Sequence, residues 1–274
     1  MPLRKAPLWT DIYYQAVEEY FWRPQVIGRI SNPNKPSKPW SFWRSRLAKQ
    51  EVPLNHILDF LFHIAPQALL HEVLVAMLGE SMSGFELVAP SEGLIDDNVV
   101  QPDIIFSNGK SLVFVEMKVD SKSSIDQFVK YAIAALQICA DEPSLERVEL
   151  VILSRHSEHS KVWSRAKKFE LDSKSALKAT AIQGLKGDAF VWTQPGVRKF
   201  TSKNPELVPK LIEKVDSMGL TLIDYPSFAG VLRQFASEEP TVSRLVGGVL
   251  DELSRRGLIT EDRHSELATF LWAP

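Results

Sequence analysis

Gln101-Pro-Asp-Ile-Ile-Phe-Ser-Asn-Gly-Lys-Ser-Leu-Val-Phe-Val-Glu-Met-Lys118 decides how this chain folds. Two runs of β-branched and aromatic residues flank Asn108-Gly109, a dipeptide suited to a two-residue hairpin because both residues tolerate positive φ. With Ser107 paired to Lys110, Asp103 is expected opposite Phe114 and Gln101 opposite Glu116. Opposed residues share a face, and side chains alternate along each strand. Asp103, Glu116 and Lys118 therefore project from one face, while Ile104, Phe106, Val113, Val115 and Met117 fill the other. Asp103 and Glu116 become diagonal neighbours, with Cα atoms about 7–8 Å apart, close enough to converge on one ion. A one-residue bulge would reverse this parity.

Two carboxylates side by side among Val, Ile and Phe repel, and desolvation would drive one of them to take a proton. A divalent cation removes the conflict, and hard oxygen ligands suit Mg²⁺ or Mn²⁺. Lys118 is placed to hold a water or to neutralise charge developing on a phosphate. The plainer alternative is an exposed edge hairpin whose polar face meets water, with Lys118 paired to Glu116.

Outward from the hairpin, Phe85–Val88 and Val148–Ser154 read as further strands and Ser124–Cys139 as a helix. Ser124-Ile-Asp-Gln127 fits a capping box, with Ser124 as N-cap and Gln127 at the third helical position. Gln127 and Tyr131 stand four residues apart and share a helical face. Upstream, Trp9–Trp22 reads as a helix, Ile30–Pro39 as a proline-broken loop and Trp40–Lys49 as a short helix. Residues 54–64 and 66–79 read as apolar helices. Downstream, a helix is expected over 161–169 and a short strand over Ala189–Thr193. Beyond about Asn204 the chain reads as all-helical, over 206–217, 227–237 and 241–256. The expected fold is α/β, a mixed sheet flanked by helices. Its expected divisions are an N-terminal segment 1–53, a core 54–203 and a helical region 204–274, which leaves dimerisation or a winged-helix role open.

Pro102-Asp103, then Glu116-Met117-Lys118, then Gln127-x-x-x-Tyr131 resemble the PD-(D/E)xK nuclease superfamily. The likeness is to its restriction-endonuclease-like branch with a Gln-x-x-x-Tyr helix, typified by RecB-like and lambda-exonuclease-like nucleases. It covers about residues 66–155. The resemblance implies a metal-dependent nuclease, with Mg²⁺ or Mn²⁺ as cofactor and DNA as the expected substrate. It implies Asp103 and Glu116 as metal ligands, with the main-chain carbonyl of Met117 beside them. Lys118 would activate or position water, and Gln127 and Tyr131 would orient the site or contact phosphate. The superfamily often adds an acid from the helix before the first core strand. Glu72, among apolar neighbours, matches that position; the alternative is a surface acid on that helix's polar edge. A catalytically silent relative that binds nucleic acid or a partner protein is the second reading.

Charge is segregated in a way that fits a polyanion partner. Of 274 residues, 45% are hydrophobic and 24% charged, and the formal net charge is -2. Residues 23–49 hold Arg23, Arg29, Lys35, Lys38, Arg44, Arg46 and Lys49 and no acid, interleaved with Trp40, Phe42 and Trp43. Residues 161–203 are also basic, whereas 51–160 carry an excess of acids. The basic runs, with Arg155 and Lys161, are candidate phosphate contacts. Two solvated surfaces would give the same pattern.

Other chemistry is poorly supported. Gly109-Lys110-Ser111 has Ile104 where a P-loop needs glycine. His156 and His159 lack the glutamate of a zincin helix and read as surface residues or phosphate contacts. The lone Cys139 excludes a disulfide framework and a cysteine-based zinc site. Pro66, His71 and Glu72 interrupt the longest apolar stretch, so a membrane span is not expected. The N-terminus lacks the apolar core of a signal peptide, and a cytoplasmic location is the expectation.

Overall fold

The computed structural model describes residues 8–17, 51–79, 84–88, 99–100, 102–119, 121–164 and 194–260. In chain order its elements are α1 (Trp9–Val17), α2 (Glu51–Ile64), α3 (Gln67–Leu78), β1 (Glu86–Leu87), β2 (Ile104–Ser107) and β3 (Ser111–Met117). These are followed by α4 (Ile125–Asp141), β4 (Arg147–Ser154), α5 (His159–Val162), α6 (Pro195–Lys203), a 3₁₀ turn (Pro205–Leu207), α7 (Val208–Ser217), β5 (Gly219–Asp224), α8 (Tyr225–Glu238) and α9 (Ser243–Arg255). The chain divides into two compact units, one of Gln67–Phe228 and one of Met1–Pro66 with Ala229–Pro274. The expected loop Ile30–Pro39, the helix Trp40–Lys49 and the strand Ala189–Thr193 lie outside the described residues; the helix expected over 161–169 does not form as read, since α5 ends at Val162 and Trp163 bridges to Ser123.

The larger unit is a mixed α/β layer structure. Five strands are ordered β1-β2-β3-β4-β5. The first three pair antiparallel, while β3–β4 and β4–β5 are parallel. Parallel pairing needs a long crossover, which α4 supplies between β3 and β4. All seven residues of β3 are buried, as expected of a central strand covered on both faces. Leu112, Phe114, Leu150, Ile152 and Leu220 pack with Phe128, Tyr131 and Ala135 of α4 and with Leu211 and Val215 of α7. Residues of the other parity, among them Val113, Val115, Val151 and Leu153, are buried on the opposite face; α3 packs on β5.

Two sequence-based expectations need correction here. The region after Asn204 is not all helix, since Gly219–Asp224 forms β5 and completes the sheet. The compact unit that holds the sheet runs from Gln67 to Phe228. The hairpin turn is also displaced. Ile104 pairs with Val115 and Ser107 with Leu112, which makes Gly109-Lys110 the two central residues instead of Asn108-Gly109. Asn108 stands before the turn, because its Oδ1 accepts from the N–H groups of Lys110 (3.1 Å) and Ser111 (2.7 Å). Gly109 alone takes the positive φ there, at 79°. The register thus slips by two residues, and an even slip leaves every side chain on its expected face.

Gly219 is needed for close approach. It pairs with Glu149 across β4 and β5, and a Cβ there would lie 1.9 Å from Glu149 Oε2. The same Glu149 is buried and accepts two hydrogen bonds from Arg147, at 2.9 and 2.8 Å.

In the smaller unit α9 packs on α1 and α2. The Trp9 indole lies over Gly248 and donates to Leu245 O at 3.0 Å. Beneath it, Tyr14, Glu252 and Arg256 form a buried triad: the Tyr14 hydroxyl donates to Glu252 Oε1 at 2.5 Å, Arg256 Nε to the same oxygen at 2.7 Å, and Arg256 Nη2 to the Tyr14 oxygen at 2.8 Å.

Candidate functional site

The site is built at the carboxyl end of β3. The ladder between β2 and β3 ends at Ile104 opposite Val115, and one further step of the same register would set Asp103 opposite Glu116. By that register the two are opposed rather than diagonal, a consequence of the two-residue slip. Asp103 has left the strand geometry, and its Oδ2 accepts the Met117 N–H at 2.8 Å. That bond anchors its carboxylate to the backbone between Glu116 and Lys118. Glu116 is 5% exposed although its neighbours on β3 are apolar.

A buried carboxylate must be matched by donors, and three side chains supply them. Gln127 Nε2 and the Lys118 ammonium both reach Glu116 Oε1, the latter at 2.5 Å, and the Tyr131 hydroxyl donates to Oε2. Helix α4 presents Gln127 and Tyr131 on one face, one turn apart, as their spacing predicts. Ser124 holds the N-cap position but makes no side-chain cap bond. The capping box is not formed, because the Ser124 hydroxyl donates to Asp126 instead of capping the helix, and the Gln127 Nε2 is directed at Glu116. Burial, then the negative Glu116, holds the Tyr131 phenol well above its ordinary pKa. It stays a donor at neutral pH, with its ring against Phe114, centroids 5.2 Å apart.

The plainer sequence alternative is right in one respect and wrong in another. Lys118 does pair with Glu116, but the pair does not sit on a solvated edge hairpin. β3 lies between β2 and β4, and the Lys118 side chain is only 14% exposed.

Remaining candidates fall elsewhere. Glu72, expected as a buried acid facing the cation, is exposed on α3; its carboxylate meets water, so burial gives no reason to seek a cation partner for it. Arg155 follows β4 directly and is half-buried, while Lys161 is exposed and paired with Glu158 at 2.7 Å. Arg23, Arg29, Lys35, Lys38, Arg44 and Arg46 lie outside the described residues. Cys139 is half-buried on α4, its sulfur 3.6 Å from the Lys214 ammonium.

Sequence reasoning passed over Ser154 and Asp224. They end β4 and β5 and pair with each other. Ladder partners share a face, so both stand on the face of Glu116 and Lys118. Their signal was a polar residue closing each apolar run.

Chemically, the arrangement is two adjacent carboxylates, one held by the backbone and one clamped by an amide, a phenol and an ammonium. Among the described residues no group of three or more His, Cys, Asp or Glu side chains is gathered for a metal ion. None of the described helices is long and apolar enough to cross a membrane. No known protein family, curated protein or solved structure matches this chain.

Proposed function

We propose that the protein is a metal-dependent nuclease that hydrolyses phosphodiester bonds, most simply those of DNA. The observation that carries this reading is that Asp103 is anchored to the Met117 N–H, between Glu116 and Lys118, while Lys118 pairs with Glu116 at the end of a central strand. Two like charges brought together at a partly buried position are costly, and they suit a hard cation. Asp103 and Glu116 would hold Mg²⁺ or Mn²⁺, with the Met117 carbonyl as a further oxygen. When bound, the cation would acidify a water and polarise the phosphodiester.

The chain's own residues would supply position and charge. The Met117 N–H fixes Asp103, and Gln127 and Tyr131 fix both oxygens of Glu116, which limits the reorganisation needed as charge develops. Lys118 would orient the attacking water or compensate charge on the phosphate. The basic segment 23–49 supports a polyanion as partner.

The test is digestion of circular, linear, nicked and single-stranded substrates with and without Mg²⁺. Cleavage should require the metal, and Asp103→Ala or Lys118→Ala should reduce it by about 10²–10³-fold or more with the fold intact by circular dichroism. Undiminished cleavage in either variant ends this reading. A second reading, a silent relative that binds nucleic acid or a partner protein, draws on the three donors that already satisfy Glu116. Metal-independent DNA binding without cleavage of any substrate would favour it.

A further inference from the structure

Glu116 pairs with Ile152, and the β3–β4 ladder runs on through the Lys118 N–H bond to Leu153 O at 2.8 Å. Ser154 therefore stands on the face of Glu116 and Lys118, one strand away from Lys118, or about 4.8 Å. Its hydroxyl donates to His156 O at 2.5 Å and accepts from the His156 N–H at 3.2 Å. Both main-chain groups of His156 are thus gathered onto a side chain of the catalytic face. On the other side, Ser157 Oγ donates to Asp224 Oδ2 at 3.3 Å, and Asp224 is the ladder partner of Ser154. Asp224 is itself fixed, since its Oδ1 accepts the Ser227 N–H at 2.8 Å. His156 and Ser157 are thus held by side chains at the ends of β4 and β5, and the His156 side chain there is exposed.

We infer that His156 binds a backbone phosphate of the polynucleotide next to the one that is cleaved. The inference rests on the nuclease reading and adds a substrate contact to it. An imidazole presents at least one N–H donor in either protonation state. Phosphate contacts made from a fixed main chain set the register of a polynucleotide without reading its bases. Lys161 is poorly suited to the task, because Glu158 already compensates its charge. His156 acts in binding, so it should affect the affinity for substrate and not the chemical step.

The experiment compares wild type, His156→Ala and His156→Gln in Mg²⁺-dependent cleavage of labelled single- and double-stranded oligonucleotides, with melting curves to check folding. KM should rise about tenfold in His156→Ala, as expected for loss of one charge-assisted hydrogen bond, with kcat within about twofold. His156→Gln, whose amide still donates, should recover most of the loss. An unchanged KM, or a fall in kcat at constant KM, overturns the inference while leaving the nuclease reading in place. If wild type binds these oligonucleotides without cutting them, the nuclease reading fails, and the same tenfold weakening in Kd is still expected of His156→Ala. If wild type neither cuts nor binds, both are overturned.

Discussion

Each unit of this protein buries a glutamate against a tyrosine hydroxyl and a cation, yet the two constellations differ in kind. In the smaller unit Glu252 faces Tyr14 and Arg256, with Arg256 fully buried and one helical turn away on the same stretch of chain. In the larger unit Glu116 faces Tyr131, Gln127 and Lys118, and a second carboxylate, Asp103, stands beside it. The first network sets one carboxylate against one buried guanidinium. The second brings two carboxylates to one ammonium and sits where β3 ends, with its lysine partly open to solvent. Burial of an ionisable group is therefore weak grounds for a site by itself; like charges placed together at an accessible edge are stronger grounds.

The largest effect that would sharpen this contrast is on stability. Glu252→Ala removes the carboxylate paired with the buried Arg256 and should cost about 3–5 kcal/mol by denaturant titration. Asp103→Asn removes a repulsion and should leave stability unchanged or raised. If Asp103→Asn destabilised as strongly as Glu252→Ala, the distinction between the two networks would fail.

A somewhat smaller effect separates the networks by ligand. Mg²⁺ at one hundred times its Kd should stabilise the native wild type by about 2.7 kcal/mol, seen as a raised Tm. Asp103→Asn should lose that shift, whereas Glu252→Gln should keep it on a lower baseline. A shift retained in Asp103→Asn would place the cation elsewhere.

Smallest is the effect on the two phenols, where the networks should behave alike. Tyr131 and Tyr14 are both raised from the ordinary value of 10.0, first by burial and next by the neighbouring glutamate. Above about pH 10 the unfolded chain releases protons that the native state retains, so stability should fall as pH rises through that region. Tyr131→Phe and Tyr14→Phe should each cost about 1.5 kcal/mol near neutrality and flatten the alkaline decline. An alkaline profile identical to wild type would remove the phenols from both networks.

How much of this was legible depended on sequence separation. The faces of the hairpin were readable because alternation is local, and a misplaced turn moved the register by an even number. The turn itself was misread because Asn108 has two uses, to take positive φ or to bond the turn's amides through its side chain, and only the folded structure separates them. Strand β5 was missed although Gly219-Leu-Thr-Leu-Ile-Asp224 is short, β-branched in part and closed by turn formers; its helical flanks dominated the pattern. Gln127 illustrates a different limit. Its spacing from Ser124 satisfied a local rule, but a carboxylate eleven residues earlier in the chain claimed its amide. The Tyr14–Glu252 contact spans 238 residues, and no periodicity could announce it.

The contact between Gly219 and the Glu149 carboxylate also constrains how the sheet can change over time. A methyl group at position 219 meets an occupied space unless position 149 has shrunk first, so the two substitutions are tolerable in one order and harmful in the other. Drift through this corner of the fold is directional, and a library that varies only one of the two positions would misjudge what the pair can accept.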